Sequence, residues 1–109
     1  MKVIEHKMLS AFNAGKELRS GADVIKSCNR HLIYRLYETD IIDKGPSNTI
    51  VIQTGGWETR TTISRLNSFF KFNDISARVF TSKKQLKLTL PNGKTIDWDG
   101  GPIDVLRVY

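Results

Sequence analysis

The chain has 109 residues, 39% of them hydrophobic and 26% charged, which suits one globular domain with its own core and excludes a disordered chain. No apolar run approaches the roughly 20 residues that span a bilayer, the first sixteen residues are broken by Glu5, His6 and Lys7 where a signal peptide is apolar, and a lone cysteine, Cys28, excludes an internal disulfide, so an intracellular protein is expected. The net charge of +6 is concentrated: residues 58–90 hold seven basic and two acidic side chains, a distribution that points to an anionic partner, nucleic acid first, or to lysines that serve solubility alone.

In chain order, Val3–Ala14 places Ile4, Met8, Leu9, Ala11 and Phe12 at helical spacing, and Gly15 follows as a natural C′ residue. Residues 20–29, "SGADVIKSCN", suggest a turn into a short strand, and 31–38, "HLIYRLYE", a longer one rich in aromatic and branched residues. The polar turn "DKGPSN" leads to "TIVIQT", a strand whose Ile50 and Ile52 share a face. Gly55 and Gly56 end that strand. Thr59 or Thr61 can then cap a helix running to about Phe72, with Ile63, Leu66, Phe69 and Phe70 as its core stripe. Arg60, Ser64, Asn67 and Lys71 recur along another flank.

The C-terminal third predicts a strand at "ARVFTS" and a hairpin from "QLKLTL" and "KTIDWD" around Pro91-Asn92-Gly93. A two-residue loop would set Asp97 opposite Leu88. A three-residue loop pairs Leu90 with Lys94, Thr89 with Thr95, Leu88 with Ile96, Lys87 with Asp97 and Leu86 with Trp98, keeping apolar residues on one face, and is preferred; Gly93 then supplies the left-handed bulge residue. The tail "IDVLRVY" alternates poorly for a strand, and Pro102 could equally start a helical turn. The expected fold is α+β in the order α-β-β-β-α-β-β-β: a mostly antiparallel sheet of four to six strands, an N-terminal helix, and a second helix across one face. It forms a single domain over residues 1–109, with 99–109 as a candidate tail.

The run "GGWETRTTISRLNSFF", preceded by "NTIVIQT" and by "AFNAGKELRSGADVIKS", resembles a family of small uncharacterised proteins of tailed bacteriophages. The matching positions are Gly56, Trp57, Thr59, Thr61 or Thr62, Arg65, Leu66 and Asn67, and the similarity extends over most of residues 8–85. The resemblance implies a phage origin, hence the host cytoplasm, an α+β fold, and no catalytic residues to carry over.

Enzymatic signatures are weak. Cys28-x-x-His31 fits no nucleophile motif, and Cys28 reads as a small buried residue with His31 at a surface strand start. Cys28 and the two scattered histidines, His6 and His31, do not make a zinc site, and Asp97, beside Trp98 and Asp99, already has Lys87 as a cross-strand partner. A non-enzyme without metal or cofactor is therefore expected. "TGGWET" joins a strand to a helix as phosphate-gripping loops do, which makes Gly55, Gly56 and Thr59 a candidate anion or nucleotide site, but it lacks the P-loop and dinucleotide spacings; a tight turn explains the glycines better. The leading expectation is nucleic-acid binding by Arg60, Ser64, Arg65, Asn67, Lys71, Arg78, Lys83, Lys84 and Lys87, with Trp57, Phe80 or Tyr37 stacking on bases if exposed. The rival is a host-protein-binding inhibitor that uses a free strand edge near Gln85–Leu90 or the aromatic C-terminus at Tyr109.

Overall fold

A computed structural model describes residues 1–107. Helix α1 (Val3–Asn13) is followed by four short strands, β1 (Leu18–Ser20), β2 (Asp23–Cys28), β3 (His31–Leu36) and β4 (Thr39–Lys44). A 3-10 turn at Pro46–Asn48 leads to β5 (Ile50–Ile52), then α2 (Arg60–Phe72), β6 (Arg78–Ser82), β7 (Gln85–Thr89), β8 (Thr95–Asp97) and β9 (Ile103–Asp104). The fold is α+β and every strand pairing is antiparallel. The strands divide between two sheets: β1-β2-β3-β4-β5-β9, and β6-β7-β8.

One hydrophobic cluster joins these elements. The stripe of α1 contributes Met8, Leu9 and Phe12, and that of α2 contributes Leu66, Phe69 and Phe70, with Ile63 half-buried at its margin. Phe12 meets Phe69 edge to face at 5.8 Å between centroids, which ties the helices to each other over Tyr34 of the large sheet. Between β3 and β4 the register shifts after Tyr34, so Ile41 is the extra residue of a bulge, and Ile41 and Ile42 are both buried although adjacent in sequence.

The segment "HLIYRLYETDIIDK" forms a hairpin rather than one long strand. Leu36 pairs with Thr39 across a two-residue turn in which Tyr37 and Glu38 both have positive φ, 47° and 66°. Such turns normally announce themselves with Asn-Gly, and Tyr-Glu gives no such signal. Asn29-Arg30 and Lys83-Lys84 turn the same way, with φ of 49° and 68°, and of 52° and 66°. At the first of these turns Cys28 is exposed, contrary to expectation, because β2 has there run past the edge of the core. His31, opposite it, sets Nδ1 2.7 Å from Asp43.

The three-residue hairpin has the expected register: Lys87, Leu88 and Thr89 face Asp97, Ile96 and Thr95, and Leu90 N–H donates to the Lys94 carbonyl. Lys87 Nζ reaches Asp97 at 2.5 Å, the Thr89 and Thr95 hydroxyls meet at 2.9 Å, and Gly93 has φ of 88°. The candidate tail instead folds onto the domain. Ile103 and Asp104 pair with Ile52 and Val51, and Val105 is fully buried. Tyr109 lies outside the described residues. The rival's edge near Gln85–Leu90 is also absent: β7 is the central strand of its sheet, with β6 on one side and β8 on the other.

Candidate nucleic-acid interface

The basic flank of α2 divides into residues that hold the fold and residues that face water. Thr59 caps the helix, its Oγ1 accepting from Thr62 N–H at 3.2 Å, and this fixes the rotation of the faces that follow. Arg65 then points inward and is only 7% exposed. Its Nε donates to Asp23 Oδ2 at 2.7 Å and its Nη1 to Glu5 Oε2 at 2.9 Å, while Tyr34 Oη donates to the same Asp23 oxygen. Glu5, 1% exposed, also accepts from Ser64, from Ser68 at 2.9 Å and from Lys2 N–H at 3.0 Å. Among the described residues no buried side-chain nitrogen or oxygen lacks a partner.

This cluster ties α1, β2, β3 and α2 together, and its chemistry is that of a clamp. Burial pushes the Glu5 carboxyl up, but the hydrogen bonds from Ser64, Lys2, Ser68 and Arg65 outweigh it and hold the group below its ordinary value of 4.5. Burial and the hydrogen bond to Asp23 push the Tyr34 phenol well above its ordinary range. For Arg65, burial acts against the charge and the two carboxylates more than restore it. An ionised carboxylate whose lone pairs are all occupied is poorly placed to act as a base.

Arg65 and Ser64 therefore leave the set of phosphate-facing residues, because both are held by buried carboxylates. Asn67 is engaged as well: its Nδ2 donates to the Val79 carbonyl and its Oδ1 accepts from Val79 N–H, both at 2.7 Å. The amide thus acts as a one-residue strand against the free edge of β6. At Val79, α2 covers the edge of β6 that β7 leaves unpaired. Lys87 is half-buried and paired with Asp97.

Arg60, Lys71, Arg78, Lys83 and Lys84 remain exposed, and none makes an ion pair among the described residues. Period-two alternation puts Arg78, Phe80 and Ser82 of β6 on the face of the small sheet opposite buried Val79, with Lys87 across from Phe80. The Arg78 guanidinium lies 5.1 Å from the centre of the Phe80 ring. The small sheet thus presents an aromatic ring framed by two cations.

The glycine run makes a turn. Gly55 and Gly56 have φ of 62° and 85°, and the N–H groups of Gly56 and Trp57 donate inward to Oγ1 and the carbonyl of Thr54. Thr54 is buried and bonded in turn to the Gly100 carbonyl at 2.8 Å. The expected anion grip of Gly55, Gly56 and Thr59 thereby loses the Gly56 N–H, and the neighbouring Trp57 N–H is turned inward as well. A Cβ on Gly55 would come within 2.6 Å of the Thr39 methyl, so the turn packs directly on the β3–β4 hairpin. Trp57 and Tyr37, 64% and 68% exposed, consequently stand on the rim of one hollow of about 410 Å³ that also includes Leu36, Thr39, Thr59, Thr61 and Thr62. Tyr37 enters the set by its exposure, which the sequence left conditional.

The clamp was partly readable. Glu5 sits on the apolar stripe of α1 one turn before Met8 and Leu9, Asp23 shares a strand face with Ile25, and Arg65 adjoins Leu66. Charges of opposite sign at three core positions are a signal that reading Arg65 as part of a surface patch overlooked.

One family model, the Kyanoviridae Gp96 protein, matches residues 1–103. The chain belongs to the Kyanoviridae Gp96 family. This is a phage protein family, as the resemblance implied, and the match runs through both helices and both sheets rather than resting on the Gly56–Asn67 motif. The comparisons with curated proteins and with solved structures find no match. No helix among the described residues is long and apolar enough to cross a membrane, and among them no group of three His, Cys, Asp or Glu side chains could hold a metal.

Proposed function

We propose that this Gp96-family protein is a non-enzymatic nucleic-acid-binding protein acting in the host cytoplasm. The observation that carries the reading is the set of exposed cations free of ion pairs, Arg60, Lys71, Arg78, Lys83 and Lys84, in a segment whose own acids are Glu58 and Asp74. Packing supports it. Asn67 sets Val79 beside the middle of α2, so the small sheet that carries Arg78, Lys83 and Lys84 is held against the helix that carries Arg60 and Lys71. The Arg78 guanidinium over Phe80 offers a cationic plane on which an unpaired base can stack, and α2 is held on the core and on β6 rather than free to enter a major groove. Single strands are the expected ligand. The host-protein alternative loses its strand edge, because β7 is paired on both sides.

The test is retention of single-stranded oligonucleotides across a salt series. Five phosphate contacts correspond to a slope of log K against log salt of about −3.5 on single strands. Absence of retention at low salt, or affinity that does not change with salt, would refute the proposal.

A further inference from the structure

Tyr37 and Trp57 are the two described aromatics that stand largely in water, and they rim the same hollow. They come from separate elements, the β3–β4 turn and the Gly55-Gly56 turn, which the pairing of β4 with β5 and the close approach of Gly55 to Thr39 bring together. The hairpin that presents Tyr37 does so with that bulky residue at φ of 47°, a conformation in which such side chains are outliers and in which Asn or Gly would sit without strain. Local stability therefore does not account for the tyrosine there. A role for its ring outside the core does.

From these observations we infer that the hollow is a stacking site for one planar heteroaromatic ring, a nucleobase. Its volume of about 410 Å³ lies in the lower part of the range for small-molecule pockets, enough for a single nucleoside. Aromatic walls bind the faces of any base. Of the threonines inside, Thr59 and Thr62 hydrogen-bond each other, whereas the hydroxyls of Thr39 and Thr61 make no hydrogen bond among the described residues and can both donate to and accept from a base edge. Glu38 and Glu58, each next in sequence to one aromatic wall, are exposed beside the hollow, so it selects for an uncharged ring rather than a phosphate. Arg60 lies in sequence between Thr59 and Thr61, which both line the hollow, and is the nearest cation along the chain. The site deepens the nucleic-acid reading by adding a pocket for a flipped-out base, but it is built from different residues.

The experiment is a fluorescence titration with adenosine, cytidine and, as the competing ring chemistry, maltose. Trp98 is buried and stays as an internal reference, so the response reports Trp57. Saturable quenching by a nucleoside and none by maltose is expected, and Trp57→Phe should remove the signal. Tyr37→Asn deletes the ring while suiting the left-handed turn, and it should weaken binding by about 5- to 100-fold, the range for one base–aromatic stack. No saturable quenching, equal quenching by maltose, or unchanged affinity in Tyr37→Asn would each overturn the inference. Lys83→Gln/Lys84→Gln separates the two readings: it should weaken oligonucleotide retention and leave nucleoside affinity unchanged. Nucleoside binding without oligonucleotide retention would sink the proposed function and spare the pocket, whereas salt-dependent retention without nucleoside binding would do the reverse.

Discussion

Arg65 shows how one side chain serves several elements. It reaches two carboxylates, and each of these accepts further donors, so removing the guanidinium leaves Glu5 and Asp23 as buried charges without a counter-ion. Arg65→Met is expected to lower the free energy of unfolding by about 3–5 kcal/mol in urea, because breaking a buried pair strands the partner charge. Lysine is a poor substitute, since a single ammonium cannot fork between two acids on different elements. The cluster also sets the pH window. Glu5 has a folded pKa below its ordinary 4.5, so its contribution is complete above about pH 4.5 and is lost as pH falls through the lower folded value. Tyr34 is shifted upward from 10.0, so its contribution is complete below about pH 10 and is lost as pH rises beyond it. Urea midpoints measured from pH 2 to 11 should fall at both ends, and Tyr34→Phe should remove the alkaline decline.

At the scale of the element, the two-residue hairpins show local conformation yielding to function or to tertiary pairing. Lys83-Lys84 holds both residues left-handed and places two cations at the tip of the small sheet. Asn-Gly suits that geometry far better, so Lys83→Asn/Lys84→Gly should raise stability by about 1 kcal/mol or more. The same change should weaken oligonucleotide binding and make its salt slope shallower by about 1.4. Stability and affinity moving in opposite directions in one variant would be the mark of a turn kept for its charge; unchanged affinity and salt slope would mean that the tip has no part in binding. Asn67 makes a related point. An exposed polar residue in sequence terms, it pairs with the backbone of Val79 as a strand would and so ties α2 to the edge of β6.

For the molecule as a whole, residues 99–107 close the fold rather than trail from it. Thr54 N–H bonds the Gly100 carbonyl, Trp98 Nε1 donates to the Gly101 carbonyl, and β9 covers the outer edge of β5. Truncation after Trp98 should therefore lower the melting temperature by roughly 10 °C or more, through lost burial of Val105 and an uncovered strand; an unchanged melt would show that the segment contributes nothing. The α+β class, both helices, the cap at Thr59 or Thr61 and the register of the β7–β8 hairpin could all be read from the amino-acid order, because each depends on periodicity or turn chemistry within a dozen or so residues. What lay beyond that reach was the Tyr37-Glu38 turn, which has no Asn-Gly signal, and the contacts between distant segments. Glu5, Asp23 and Arg65 are as much as 60 residues apart, and only packing decides that their charges face one another and not solvent. Tyr37 and Trp57 likewise belong to separate turns, and the pairing of β4 with β5, together with a glycine without a Cβ against a threonine methyl, makes them two walls of one hollow.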